Sequence, residues 1–306
     1  MKSFFTPKFN GFFVANLVAF TLIGLSKLSE KYIFTYNAGV LVFSEFVIIP
    51  LLMGIISAWF WRDSNLSSNK LTGYSCMNAF IAILLSFIFL GEGMICLIIV
   101  SPLLMVLVIA GAFIGKSMFN KNNQTLNISI LSLMAVVFFA DASTPHRYDN
   151  MVADEVQINA PVSQVWQHVV AFKRIEEKNK YWLFKAGMPS PVQATVDGYH
   201  VGAGRKCIFS NGYVFDEKIV TYDVNRNLTF DITHQPRDPE IMGHIDILRG
   251  QFLLKDNGNN TTTLIGNSWY RLYVFPAWYY DTWAKSITRN VHIRVMEHIK
   301  ELSESK

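Results

Sequence analysis

The stretch Ala277–Leu302, AWYYDTWAKSITRNVHIRVMEHIKEL, decides the fold. Trp283, Ile287, Val291, Val295, His298 or Ile299, and Leu302 recur every three or four residues, which sets them on one stripe of a helix. Lys285, Arg289, Glu297 and Lys300 turn mostly away from that stripe. Pro276 stands just before the start, where its missing N–H costs nothing. A striped helix of about seven turns needs a broad surface to lie on.

The residues before it supply that surface. Val152–Ala160 alternates and predicts a first strand, and SQVWQHVVAF from Ser163 predicts a helix with Val165, Trp166, Val169 and Val170 on its apolar side. Arg174–Lys185 is expected to be helical as well, with a charged, solvated face. Six strands follow, at Val192–Gly198, Arg205–Ser210, Tyr213–Tyr222, Leu228–Thr233, Ile245–Lys255 and Thr262–Val274. Asn211-Gly212, Asn225–Asn227 and Asp256-Asn257-Gly258-Asn259 punctuate them as turns. The order of strand, two short helices, six strands and one long helix predicts an α+β helix-grip domain. In such a domain a curved antiparallel sheet wraps the last helix and leaves a pocket between them.

The first half of the chain is of another kind. Hydrophobic residues make up 51% of the 306 and charged residues only 16%, too apolar a balance for an ordinary soluble chain. Before Asp141 there are eight Lys/Arg and four Asp/Glu; from Asp141 onward there are nineteen of each. The whole +4 excess therefore lies in the first half. The neutral second half argues against a nucleic-acid surface, which needs clustered positive charge. Apolar runs at Phe9–Leu25, Val40–Trp61, Tyr74–Leu90, Met94–Ile114 and Thr125–Ala140 predict an all-α transmembrane region of four or five helices. Gly91-Glu92-Gly93 reads as a hairpin tip between the third and fourth runs. With the N-terminus inside, inner segments carry Lys2, Lys8, Arg62, Lys70, Lys116 and Lys121, against Lys27 and Lys31 outside. Five spans then put the C-terminal domain on the outer side, the periplasm of a bacterial inner-membrane protein; four spans put it in the cytoplasm. The domain plan is 1–140 transmembrane, 141–150 linker and 151–306 helix-grip.

Several motifs carry a resemblance. VQINAPVSQVWQHV (156–169), WLFKAG (182–187), GAGRKCIFSNG (202–212), NSWYRLYVFPAWYY (267–280) and VHIRVMEHIK (291–300) resemble the START-like, helix-grip superfamily called SRPBCC. Within it they are similar to a bacterial branch described as polyketide cyclase/dehydrase-like. The resemblance spans Val152 to Ser303 and leaves out the membrane half. It implies the helix-grip fold and a hydrophobic small-molecule or lipid ligand. The superfamily ranges from enzymes to pure carriers, so it implies no particular reaction.

Candidate site residues follow from the pattern. Trp269, Tyr270, Tyr273, Tyr279 and Trp283, with Tyr280, form the densest aromatic cluster, and with Ile287 they are the expected contacts of an apolar ligand. Arg249 and Arg271 either hold a ligand carboxylate or phosphate by a bidentate fork or point outward and pair with acids. Asp246, with His244, and His298 are the acid–base candidates if the domain is a cyclase, dehydratase or isomerase. His292 and His298 are six residues apart, not on one helical face, and no third ligand stands at zinc-like spacing. No metal and no cofactor are expected: there is no P-loop, no H-E-x-x-H, no G-x-S-x-G and no complete dinucleotide fingerprint. Cys76 and Cys96 fall in apolar runs, and Cys207 stands alone as a small hydrophobe in a strand. Glu45 lies inside the second run, where a charge is costly, and is the intramembrane candidate for an ion- or proton-linked role. The expected partners are the lipid bilayer and a hydrophobic small molecule.

Overall fold

The computed structural model describes residues 7–32, 41–120, 124–144, 146–236 and 244–305. Lys2 and Lys121 of the inner segments and Val40 of the second apolar run lie outside them. The described residues divide into two compact units. The first runs to Arg147 and includes Tyr273–Trp278; the second takes Tyr148 to Leu272 and Tyr279 onward.

In the first unit, α1 (Pro7–Tyr32), a π-helical turn (Ser44–Ile48) leading into α2 (Ile49–Trp61), α3 (Ser68–Leu85) and α4 (Met94–Asn120) form a bundle, followed by α5 (Gln124–Asp141). Among the described residues, four helical stretches are long and apolar enough to cross a membrane: Pro7–Leu28, Ser44–Ser64, Ser68–Leu90 and Met94–Phe119. The fifth run forms α5, but among described residues it contributes only the shorter apolar stretch Ser132–Asp141. Gly91, with φ at +68°, turns the chain between α3 and α4 as the glycine pair predicts.

Small residues set the spacing of α2 and α4. A Cβ on Gly111 would stand 2.1 Å from the Leu51 carbonyl oxygen, and one on Gly54 2.2 Å from that of Val108. Backbone-to-backbone approach of this kind gives apolar helices their packing attraction where the hydrophobic effect between them is weak. A buried amide chain ties in α1 and α3. Asn16 Nδ2 donates to Asn78 Oδ1 (2.7 Å), Asn78 Nδ2 to Ser57 Oγ (2.9 Å), and Ser57 Oγ to the Gly11 carbonyl (3.3 Å). Outward positions stay apolar: Phe80, Ile88 and Val106 are about as exposed as surface lysines would be. Lys116 Nζ reaches the Leu66 carbonyl and Trp61 Nε1 the Lys8 carbonyl, so the basic end of the bundle is shared by α1, α2 and α4. Lys27 pairs with Glu92 at the other end.

The second unit is a seven-stranded antiparallel sheet in the order β1-β7-β6-β5-β4-β3-β2. Its strands are β1 (Tyr148–Ile158), β2 (Pro191–Val196), β3 (Gly204–Phe209), β4 (Val214–Asp223), β5 (Asn227–His234), β6 (Ile245–Asp256) and β7 (Thr262–Leu272). Short helices α6 (Val162–Val169) and α7 (Trp182–Lys185) lie between β1 and β2, and α8 (Ala277–Glu304) ends the chain. The sheet is curved and the fold is helix-grip. Consecutive strands β2 to β7 pair antiparallel, with Gly212 between β3 and β4 and Asn225 between β4 and β5 at positive φ where the sequence places turns.

Register identifies the inner face. Across the strands run Val152, Ser268, Gly250, Phe230 and Ile219 in one row, and Asp154, Gly266, Phe252 and Leu228 in the next. One end of this face is filled by the core: Ile158, Trp166, Val169, Leu228, Phe252, Leu254, Leu264, Met296 and Ile299 pack together. Trp166 meets the Tyr222 ring edge-on at 5.4 Å.

Two expectations are corrected. Arg174–Lys185 is helical only over Trp182–Lys185. Arg294 of α8 donates to the carbonyls of Pro191 and Glu177, His298 to that of Lys173, and Ile175 N–H bonds the Val192 carbonyl. Carbonyls and amides engaged this way are lost to i→i+4 bonding. The buried face of α8 is also rotated by about one residue from the predicted stripe. It runs through Asp281, Ala284, Thr288, His292, Val295, Met296, Ile299 and Ser303, with Trp283, Ile287 and Val291 half-buried at its flank. Gly266 is the reason: a Cβ there would lie 3.2 Å from Met296 Sδ and 3.6 Å from the His292 ring, so the glycine seats that turn of α8 on β7.

Candidate functional site

The inner face is fully buried at its core end and only half-buried elsewhere. Phe215 on β4, Ile232 on β5, Ile247 on β6 and Ser268 on β7 all point inward by register yet keep part of their surface accessible. Trp283, Ile287 and Val291, at the flank of the buried face of α8, are half-buried too. Trp283 is held at 6.4 Å, edge-on, by Trp182, and the Tyr181 hydroxyl lies 3.0 Å from Ser286 Oγ, so α7 is fastened to the same flank. Apolar side chains on the inner face that keep accessible surface are what a hydrophobic ligand requires.

Polar groups enter the inner face at three places. On β3 and β4, Arg205 pairs with Glu217, both nearly inaccessible. Arg205 also donates to the Val170 carbonyl (2.9 Å) and lies 4.5 Å over the Phe230 ring. Burial pushes the Glu217 carboxyl up against the opposing pull of Arg205. Burial first, then the Glu217 charge, drives the neighbouring Cys207 thiol up to about 12, so it is no thiolate nucleophile at neutral pH.

Near the start of α8, the Tyr270 hydroxyl donates to Asp281 Oδ1 (2.6 Å), Asn150 Nδ2 to both carboxylate oxygens, and Lys285 pairs from one turn on (2.8 Å). Burial works against charge on Asp281, but these hydrogen bonds hold its pKa below the ordinary carboxylate value. Burial and Asp281 together push the Tyr270 phenol far up, so it stays a donor.

At mid-helix, Ser268 Oγ lies 2.7 Å from His292 Nε2, and His292 Nδ1 lies 3.0 Å from Asp154 Oδ2. Arg289 Nε closes on Asp154 Oδ1 at 3.3 Å. Burial lowers the His292 pKa despite the Asp154 bond, which favours the neutral ring.

The sequence candidates divide by face. Tyr270 points inward but is fully buried on Asp281, and Trp283 and Ile287 flank the buried face of α8. Trp269, Arg249 and Arg271 lie on the opposite, outer face, where Arg249 pairs with Asp231 and Arg271 with Asp149, each at 2.6 Å. A bulge at Leu248 puts Asp246 on that outer face too, opposite Arg271, where it accepts from Gln235 Nε2 (3.1 Å). Tyr273 groups with the first unit. Tyr279 meets the Tyr280 ring edge-on at 5.1 Å. His244 is half-buried just before β6. Glu45 sits in the π-helical turn that opens the second apolar stretch.

His298 engages residues outside the sheet. Its Nε2 meets the Lys173 carbonyl and its Nδ1 the Glu177 carboxylate at 3.3 Å. With Glu301 these form a group of metal-ligand type, their ligand atoms within 4.8 Å of one another, where none was expected. Ser268, His292 and Asp154 were missed as a set: they come from β7, α8 and β1 and share no sequence spacing.

Comparison with known proteins adds structural likenesses. The chain is similar to norcoclaurine synthase from Thalictrum flavum at 12% identity, covering 53% of this chain and 99% of that one with a TM-score of 0.37. An uncharacterized protein from Bacillus thuringiensis gives 13% identity, 51% and 100% coverage, and 0.33. A protein from Mesorhizobium loti gives 16%, 50% and 96%, and 0.32. No family model and no curated protein matches the sequence.

Proposed function

We propose that this protein is a membrane-anchored binding protein, a carrier or sensor, whose helix-grip domain takes a hydrophobic small molecule or lipid. The observation that carries this reading is that Phe215, Ile232 and Ile247, inward by register on the sheet, and Trp283, Ile287 and Val291 on α8 are apolar and only half-buried. Side chains directed inward but still accessible expose apolar surface that a ligand would cover, at about 25 cal/mol per Å². The four apolar helical stretches support the anchor. A tether to the bilayer raises the local concentration of any lipid-soluble ligand at the domain.

The side of the membrane turns on α5. Lys8, Arg62, Lys70 and Lys116 favour an N-terminus inside. Four crossings then put the domain in the cytoplasm, and a fifth through α5 puts it outside; a reporter fused at the C-terminus separates the two. An ion-linked role for Glu45 predicts a phenotype for Glu45→Gln.

The binding reading is tested by native mass spectrometry of the full-length protein released gently from detergent micelles. The expected result is a co-purifying apolar mass that is lost on Ile247→Trp, which fills space on the inner face, and reduced on Trp283→Ala. A clean apo mass that takes up nothing from a lipid extract would overturn it.

A further inference from the structure

Ser268, His292 and Asp154 form a relay whose hydrogens are set by chemistry. A carboxylate only accepts, so His292 Nδ1 carries the hydrogen toward Asp154 and a neutral ring presents its Nε2 lone pair to Ser268. Ser268 Oγ is then the donor, at 2.7 Å. The burial is graded in the same order. His292 and Asp154 side chains are 6% and 7% exposed, whereas Ser268 keeps an accessible share on the inner face. Arg289 holds the second oxygen of Asp154, which fixes the carboxylate that orients the ring. A shielded acid, a shielded neutral base and a hydroxyl on a half-buried residue of the inner face take up the three roles that activate a serine. The wall beside the hydroxyl is apolar: Gly250 faces Ser268 across the ladder, and a Cβ on it would meet the Phe230 ring at 2.4 Å.

We infer that Ser268 is a nucleophile activated by His292, with Asp154 as its positioning residue, and that the domain hydrolyses a carboxylic ester with an apolar acyl or alcohol part. This rests on the reading of the inner face as a hydrophobic-ligand site. Ser268 Oγ attacks the ester carbonyl carbon while its proton passes to His292 Nε2. The ester C–O bond breaks, and the leaving alkoxide takes that proton. Water then attacks the acyl-serine with the same base, giving the acid and restoring Ser268. One ester and one water yield one acid and one alcohol.

The test uses the full-length protein in detergent micelles with a long-chain alkyl fluorophosphonate, read by intact mass and peptide mapping. A single adduct on Ser268, absent in Ser268→Ala, is expected, with labelling slowed about 100-fold or more in Asp154→Asn and in His292→Gln. Asp154→Asn keeps the shape of the side chain, so it reports on the relay even if His292→Gln fails to fold. In parallel, an apolar fluorescent fatty-acid probe reports binding. Probe binding with no adduct on Ser268 overturns the hydrolase and leaves the binding site standing. An adduct formed equally fast in Asp154→Asn also overturns it. Loss of both signals in folded wild-type protein overturns the binding reading as well.

Discussion

Replacing Arg205 by Met isolates what the buried ion pair contributes to the second unit. Arg205 is 3% exposed and Glu217 6%, so neither partner can be rescued by bulk water. Removing one member of such a pair leaves the other charge stranded, at a cost of about 3–5 kcal/mol. The stranded Glu217 limits that cost by taking up a proton. Its pKa is already raised by burial, and it rises further once Arg205 no longer opposes the shift. A carboxyl raised in the folded state binds more protons folded than unfolded, so stability falls as pH climbs above its ordinary value of 4.5. Arg205→Met should therefore cost about 3–5 kcal/mol at pH 7 and clearly less near pH 5. The double variant Arg205→Met/Glu217→Leu should recover at least half of the loss, because no charge stays buried. The Val170 carbonyl still lacks its donor there, worth about 1 kcal/mol. Urea titration of the full-length protein in micelles, read by pulse proteolysis of the C-terminal half, measures all three. A loss at pH 7 below about 1 kcal/mol, or a double variant no better than the single one, would refute the reasoning.

Other consequences are as direct. Gly111→Ala drives a methyl into the Leu51 carbonyl and should lower the midpoint of thermal unfolding in detergent by the equivalent of about 1–3 kcal/mol, whereas Gly73→Ala, with open space at its Cβ, should not. Tyr270→Phe removes the 2.6 Å bond to the Asp281 carboxylate and should cost about 1.5–3 kcal/mol in the same urea assay. Asp281 is held below its ordinary 3.8, so its contribution is complete above that value and is lost as pH falls through the lowered one; Asp281→Asn should flatten that acid limb. His292 is lowered from 6.5, so the unfolded chain binds the extra proton first. Wild-type stability should drop as pH falls from 6.5 toward the lowered value, and His292→Gln should remove that slope.

What one sequence could determine here is what local periodicity and local turn chemistry encode. The 3.6-residue stripe of Ala277–Leu302, the period-two runs and the Asn/Gly turns are written within ten or so residues, and each became an element with ends within a few residues of those expected. The apolar runs told the membrane-like half from the rest by the same short-range logic. Faces were harder, because a face depends on partners. One bulge at Leu248 moved Asp246 to the outer side of β6, and the absence of a side chain at Gly266 rotated the buried face of α8 onto His292 and Met296. Arg174–Tyr181 has a helical composition, but α8 side chains hold the carbonyls of Lys173, just before it, and of Glu177, within it, and that competition comes from residues more than a hundred positions away. The relay is the extreme case. Asp154, Ser268 and His292 are separated by 114 and 24 positions, and only the pairing of β1 with β7 under α8 brings them within hydrogen-bond reach. Sequence specified the elements because their free energy is largely local; the site belongs to tertiary structure because its geometry is set by long-range contacts.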